Sequence, residues 1–402
     1  MMRPLKKLIS LDEAFKILGE NTSAIIQVEE ISLVRLANRV AAEDIRASMN
    51  VPPFRRAAMD GYAVIASSTF GASDRKPIYL TCIEKVHAGE IPTRTIKQHE
   101  CIEIATGAIC PDSADTVVPV EFTNKVDDKI EILKGFTPGD NVSPEGVDIK
   151  KGETVIHKGD IFTPARIGIL AALNKTSAKV FRRPKVAIIP TGREIAPLGT
   201  QLNKGQVYDI NSYTLRALIA QNGGIPVLFD IVPDEFTALE NILLQALSTD
   251  LIVIVGGSSV GERDINIDVL SKHGTILFHG IQVKPGKPTL CGKIKDKLVI
   301  NLPGYPTSCL TNAYLLLLPY LKKMASLPSE KQKTIRAKLS RKFVGQLGRH
   351  QILTVTVKNG LATPAFKESG AITSVAWADG YIIIPYNVDL IEKGEEVEVI
   401  LF

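Results

Sequence analysis

Between Lys185 and Met324 the chain alternates short apolar runs with helical patterns, and this alternation limits the fold more than any other feature. Val186–Ile189 and Leu251–Val255 contain no polar residue, as expected of strands covered on both faces. Asn211 is expected to cap a helix through Leu215, Leu218 and Ile219 that stops at Gly223 and Gly224. Asp234 is expected to cap another through Leu239, Ile242, Leu243 and Leu247. Val227–Phe229 and Leu298–Leu302 read as further strands, a helix follows Asp264, and Pro306 opens a long helix to about Met324. Strands and helices alternating at this spacing predict a doubly wound, mostly parallel α/β sheet with helices on both faces.

The flanks differ. Ser10 to about Ala47 reads as helical, because Leu11, Ala14, Phe15 and Leu18 recur at helical spacing and residues 34–40 have similar character. From Val51-Pro52-Pro53 to about residue 142, β-branched runs are punctuated by glycine, proline and aspartate, the pattern of a β-rich insert. Residues 143–180 return to mixed character, with a helix from about Pro164 to Leu173. Leu327–Lys331 reads as a linker, and Thr334–Phe402 as strands separated by glycine turns. The class is therefore α/β multidomain. A mixed N-terminal domain (1–49 and 143–180) carries a β-rich insert (50–142), followed by the α/β sheet domain (181–326) and a small, barrel-like C-terminal β domain (327–402).

Composition narrows the function. The net charge of +5 is spread along the chain without a basic block, so nucleic acid is not an expected partner. None of the five cysteines sits in a C-x-x-C pair, which disfavours a disulfide framework or zinc site and fits a reducing compartment. The longest apolar run, Ala313–Leu321, is too short to span a bilayer and contains Pro319, and the N-terminus lacks the apolar core of a signal peptide. A cytoplasmic protein is expected, with no membrane partner.

Ligands of open parallel sheets bind beyond the carboxyl ends of the strands. Three predicted strands end in such loops: Pro190-Thr191-Gly192-Arg193-Glu194, Gly256–Asp264 and Pro303-Gly304-Tyr305-Pro306. The loop with Gly256, Gly257, Ser258, Ser259 and Gly261 is the best phosphate candidate, since its N–H groups and hydroxyls precede a helix N-terminus. A tight strand-to-helix turn would have the same composition. Asp264 suits either a metal that bridges phosphate oxygens or an ordinary helix cap; Glu194 and Asp234 carry the same ambiguity. Lys284 and Lys287 flank a proline–glycine turn that gives both ammonium groups a direction suited to an oxyanion, although a solvated turn would also contain them. In the first half, Met59-Asp60-Gly61-Tyr62-Ala63, Thr106-Gly107-Ala108 and Gly146-Val147-Asp148 read as polar breaks between strands.

Taken in order, these motifs resemble the molybdopterin molybdenumtransferase family, the MoeA type, which includes the E domain of gephyrin. The resemblance runs through Asp60 (M-D-G-Y-A), Thr106 (T-G-A), Asp148 (G-x-D-I), Glu194 (T-G-x-E), Asp209 and Asn211 (Y-D-x-N) and Asp234. It continues through Asp264 (G-G-x-S-V-G-x-x-D), Lys284 and Lys287 (K-P-G-K-P), and Pro303 and Pro306 (L-P-G-x-P), covering about residues 10–400. Val147, Arg193 and Tyr305 stand where the family often has glutamate, aspartate and asparagine; Arg349 and Ser374 are the nearest counterparts of family positions in the C-terminal domain.

The resemblance implies an enzyme that takes adenylylated molybdopterin and molybdate, inserts the metal into the dithiolene and releases AMP. It further implies Mg²⁺, a homodimer with its cleft near the subunit boundary, and a molybdopterin adenylyltransferase as pterin donor. Asp60, Thr106, Asp148, Glu194, Asp234, Lys284 and Lys287 would be catalytic. Gly256, Gly257, Ser258, Ser259, Gly261, Pro303, Gly304 and Pro306 would bind the pterin nucleotide, and Asp264 and Glu194 the metal. Two rivals remain at this stage. One is another enzyme on the same α/β module, an adenylyltransferase or a CinA-type pyrophosphatase. The other is a binding or scaffold protein without catalysis.

Overall fold

The computed structural model describes residues 8–256, 265–329 and 332–402. Its centre is a six-stranded sheet in the order Ile225–Leu228, Lys185–Pro190, Leu251–Val255, Lys297–Leu302, Leu290–Ile294, Thr275–His279. The first four strands are parallel, as the apolar runs predict. Leu290–Ile294 and Lys297–Leu302 instead form an antiparallel hairpin, and Thr275–His279 pairs antiparallel with its outer strand. That edge was not predicted.

Each face of the sheet has its own core. Val186, Ile188, Val253, Val255, Ile300 and Leu302 point one way, towards Leu215, Leu316 and Leu321; Ala187, Ile189, Ile252, Ile254 and Val299 point the other way, towards Leu239, Leu243 and Leu270. This period-two division beneath covering helices is the condition that permits strands without polar alternation.

The helix Leu11–Glu20 is capped by Ser10, whose hydroxyl accepts from the Glu13 N–H at 3.1 Å. Its apolar stripe of Leu11, Ala14 and Leu18 packs into the first of these cores, not against the segment that follows it in sequence. The Tyr320 hydroxyl, 305 residues away, donates to the Phe15 carbonyl at 2.7 Å.

Residues 34–40 are not helical. Val28–Ser32 is a strand paired with Ser177–Phe181, Leu33–Arg35 is a single 3₁₀ turn, and Asn38 sits at φ +60°. A helix cannot run through a left-handed residue, while the turn still buries Leu36 and Val40. Leu36, Ala41, Ile45, Ile156, Phe162, Leu170 and Val180 share one core, which unites residues on both sides of the β-rich insert. The Arg182 guanidinium grips both oxygens of Asp250, at 2.8 and 2.9 Å, where this unit meets the central sheet.

The insert is a six-stranded sheet with its centre at Glu100–Ile104 and Ile78–Val86. In the C-terminal region, Thr334–Leu339, His350–Lys358, Leu361–Pro364, Gly380–Ile384 and Glu396–Leu401 pair around a closed ring.

Candidate active site at the strand ends

The loops leaving the parallel strands are tied to one another. Thr191 sends its N–H and its hydroxyl to the Val255 carbonyl, at 2.8 and 3.1 Å, so the first loop leans on the second strand. The Gly256 N–H donates to Leu302 O at 3.1 Å, joining the second strand end to the third. Gly256 has φ +101°, and a methyl there would lie 2.4 Å from the Thr191 carbonyl oxygen, so only glycine fits. A methyl on Gly304 would lie 3.5 Å from the Gly256 Cα, and the Asn211 carboxamide donates to the Gly304 carbonyl at 2.7 Å. Thr191 also bridges to Val232, two residues before Asp234. The loops bearing Glu194, Asp234, Gly256 and Pro303–Gly304 therefore adjoin at one end of the sheet.

Two expected caps are corrected. Asn211 is the first residue of its helix, and the Asp209 carboxylate accepts the Ser212 N–H at 3.0 Å. The capping acceptor is thus the aspartate two residues earlier, which frees the Asn211 carboxamide to hold Gly304. Asp234 does not cap Phe236–Ala246: the residue at the cap position is Glu235, without a side-chain cap bond. Asp234 is exposed at the loop instead.

The Glu194 carboxylate folds back over Gly192, where both of its oxygens would lie 2.8 Å from an added Cβ. Arg193 turns away from it, to Glu235 at 3.6 Å. Gly257, Ser258, Ser259, Gly261 and Asp264 lie outside the described residues. Among the described residues no three histidine, cysteine, aspartate or glutamate side chains converge to hold a metal. Among the described residues Glu194 is therefore one carboxylate without a metal-ligand set around it.

The two lysines reach the same end of the sheet on the turn between Val283 and Thr289. Lys284 is exposed and Lys287 half-buried. Lys284 precedes a cis peptide bond to Pro285, and Gly286 follows at φ +102°. The Asn312 carboxamide, fully buried, donates to the Gly286 carbonyl at 3.0 Å and to the Thr289 hydroxyl at 2.7 Å. The C-terminal region closes this side. Val283 and Lys284 pair with His350 and Gln351, which brings Arg349 beside the lysine turn. Thr307 bonds to the carbonyls of Ala371 and, through its N–H, Ser369, at 2.7 and 3.0 Å. Ser374 is buried, and its hydroxyl accepts the Lys367 N–H at 3.0 Å, within its own loop.

Asp60 and Thr106 are brought together on the insert. One Asp60 oxygen accepts the Thr106 N–H at 2.6 Å and its hydroxyl at 2.9 Å. Those two donors, the backbone first, hold the Asp60 carboxyl below the usual carboxylate range. Asp60 also lines a cleft of about 200 Å³, together with Lys85, His87 and Glu103. Asp148 lies elsewhere, exposed on a turn whose N–H donates to Val51 O at 3.1 Å. The bonds that fix these three residues are internal to the first half of the chain.

Asn312, Thr289 and Thr307 were not foreseen. The available signal was Thr311-Asn312, a polar pair inside the otherwise apolar stretch Cys309–Leu318.

Residues 9–174 match the MoeA N-terminal region (domain I and II), residues 187–323 the probable molybdopterin binding domain, and residues 336–402 the MoeA C-terminal region (domain IV). A molybdopterin molybdenumtransferase of Haemophilus influenzae is 34% identical, over 79% of this chain and 78% of its own. Molybdopterin molybdenumtransferase 2 of Mycobacterium tuberculosis is 31% identical, over 92% and 94%. The crystal structure of the molybdopterin biosynthesis MoeA protein of Pyrococcus horikosii superposes with TM-score 0.86 at 40% identity, covering 98% of this chain and 99% of that one.

Proposed function

Because the chain belongs to the MoeA family, we propose that it is a molybdopterin molybdenumtransferase of molybdenum-cofactor biosynthesis, transferring molybdate to adenylylated molybdopterin with release of AMP. The observation that carries this reading is the meeting of the Glu194, Asp234, Gly256 and Pro303–Gly304 loops at one sheet end, beside the Lys284–Lys287 turn. The substrates are a phosphoanhydride, a dithiol and an oxyanion. They require N–H donors, fixed cations and a few carboxylates in one place.

In this reading the Gly256 loop and the Pro303–Gly304 turn cradle the pterin nucleotide. Lys284 and Lys287 neutralise molybdate, and Glu194 and Asp234 orient water. An oxygen leaves molybdate as water when the two thiols close on the metal, and one water is consumed when the phosphoanhydride is cleaved to AMP. Asp60, Thr106 and Asp148 act from the first half of the chain, which a second copy would bring to the cleft. A homodimer is supported by the apolar side chains left exposed from the loop after Lys185–Pro190 to the first turn of the following helix: Leu198, Leu202, Val207, Tyr208, Ile210 and Tyr213. We place the enzyme in the cytoplasm, supplied by an adenylyltransferase. Among the described residues no helix is long and apolar enough to cross a membrane.

The test mixes purified protein with adenylylated molybdopterin, Mg²⁺ and molybdate, and follows AMP together with activation of a cofactor-free molybdoenzyme. Molybdate-dependent AMP release with activation is expected. AMP release without activation would make the protein a hydrolase, and binding without either would make it a carrier.

A further inference from the structure

The lysine turn has an unusual support. The Asn312 carboxamide is fully buried, on a helix whose neighbouring residues Cys309, Ala313 and Leu316 belong to the apolar core. It spends both hydrogens on the turn, one on the Gly286 carbonyl and one on the Thr289 hydroxyl; that hydroxyl in turn donates to the Gly286 carbonyl at 2.9 Å. The amide lies so close on Gly286 that an added Cβ would sit 2.1 Å from its nitrogen. The carboxamide oxygen is buried and, among the described residues, has no partner. An apolar residue would suit such surroundings better, because an unpaired buried acceptor costs stability. Packing alone therefore does not account for asparagine at this position.

The helix Pro306–Asn312 accounts for it. Its first residue closes the Pro303–Pro306 turn, and its last residue pins Gly286, which stands between Lys284 and Lys287. A rigid helix of seven residues, about two turns, thus fixes the lysine pair against the pterin-side loop. Two like charges three residues apart repel one another, and a loop held only by proline would let them spread into solvent. We propose that Asn312 is a positioning residue for oxyanion capture: through Gly286 and Thr289 it holds Lys284 and Lys287 at the separation that binds molybdate. This rests on the function proposed above.

The test uses the full chain with Asn312→Ala and Thr289→Val, and with Asn222→Ala as a control. Asn222 donates to the Leu218 carbonyl at a helix end. Molybdate half-saturation and kcat are measured by AMP release at saturating adenylylated molybdopterin, the pterin half-saturation at saturating molybdate, and molybdate binding without pterin by calorimetry. Both test variants are expected to raise the molybdate half-saturation and the calorimetric Kd about tenfold, or 1.4 kcal/mol. Their kcat should stay within threefold and the pterin half-saturation should not change; the control should match the parent throughout. Unchanged molybdate affinity in the test variants would overturn the proposal. So would an equal loss for both substrates, which a general loosening of the fold would produce. If Asn312→Ala does not fold, Thr289→Val decides alone, since valine keeps the shape and removes the hydroxyl. If the parent binds molybdate but releases no AMP, the functional reading fails while the calorimetry still decides the role of Asn312.

Discussion

Gly256→Ala should destabilise the central sheet more than Gly205→Ala, although both glycines lie in the left-handed region, at φ +101° and +90°. At Gly205 an added methyl meets nothing within 4 Å. Alanine there bears only the conformational cost, about 1–2 kcal/mol. At Gly256 the methyl would lie 2.4 Å from the Thr191 oxygen, about 1 Å inside the 3.4 Å lower limit for ordinary contact. Thr191 cannot recede freely, because its N–H and hydroxyl both hold the Val255 carbonyl. Forcing a methyl into a packed site adds about 1–3 kcal/mol, so Gly256→Ala should cost about 2–5 kcal/mol in all. Native-state hydrogen exchange of the Leu251–Val255 amides reads this locally, which suits a chain too large for a single unfolding transition. Equal losses of protection in the two variants would refute the claim that Gly256 is selected by contact with Thr191. Molybdate-dependent AMP release should fall at least tenfold in Gly256→Ala and stay within twofold of the parent in Gly205→Ala.

Asp250→Asn should cost about 3 kcal/mol, the lower end of the range for breaking a buried ion pair, because the Arg182 and Asp250 side chains are 26% and 16% exposed; thermal melts of the variant and parent measure it. Burial pushes the Asp250 carboxyl up, but the bonds from Arg182 and the Lys185 N–H outweigh burial and hold it low. Its contribution is therefore present above the ordinary value of 3.8 and is lost as pH falls through the lower folded value, so the melting difference between variant and parent should shrink in strong acid. Asn301→Val should stabilise by about 1–3 kcal/mol, since among the described residues neither atom of this fully buried carboxamide has a partner and the strand favours a β-branched residue; a lowered melting temperature would indicate that the amide is satisfied. Thr106→Val removes one of the two donors to Asp60, and the Asp60 carboxyl should then titrate closer to its ordinary value of 3.8 by carbon-detected NMR, with the backbone donor still holding it partly down.

The parallel half of the central sheet was legible because Val186–Ile189 and Leu251–Val255 can be stable in water only when covered on both faces. The hairpin edge was not, because Gly292, Lys293 and Lys295 interrupt the apolar pattern, and the turn that rescues it depends on Lys295 at φ +53°. Residues 34–40 misled because burial of Leu36 and Val40 mimics helical spacing, whereas a backbone angle at Asn38 decides the matter. At the site, the strand-end glycines were legible from composition, since each loop needs small residues for close approach. The pairing of Asp60 with Thr106 and the grip of Asn312 on Gly286 join residues distant in sequence, and no local pattern encodes such a meeting. Asn211 reads as the cap because both Asp209 and Asn211 are good caps, and only geometry shows which one has been diverted to Gly304.

The opening helix has a consequence for how the chain is made. Its apolar stripe shares a core with residues made much later, as the 305-residue span between Phe15 and Tyr320 records. At about 5–20 residues per second, that span takes roughly 15–60 s to synthesise. Apart from Ile9 and the stripe itself, no buried residue of that core precedes Val186. The nascent chain therefore carries an orphaned amphipathic segment through the folding of its first half, and a chaperone that holds such segments should retain ribosome-bound chains until Tyr320 has left the exit tunnel.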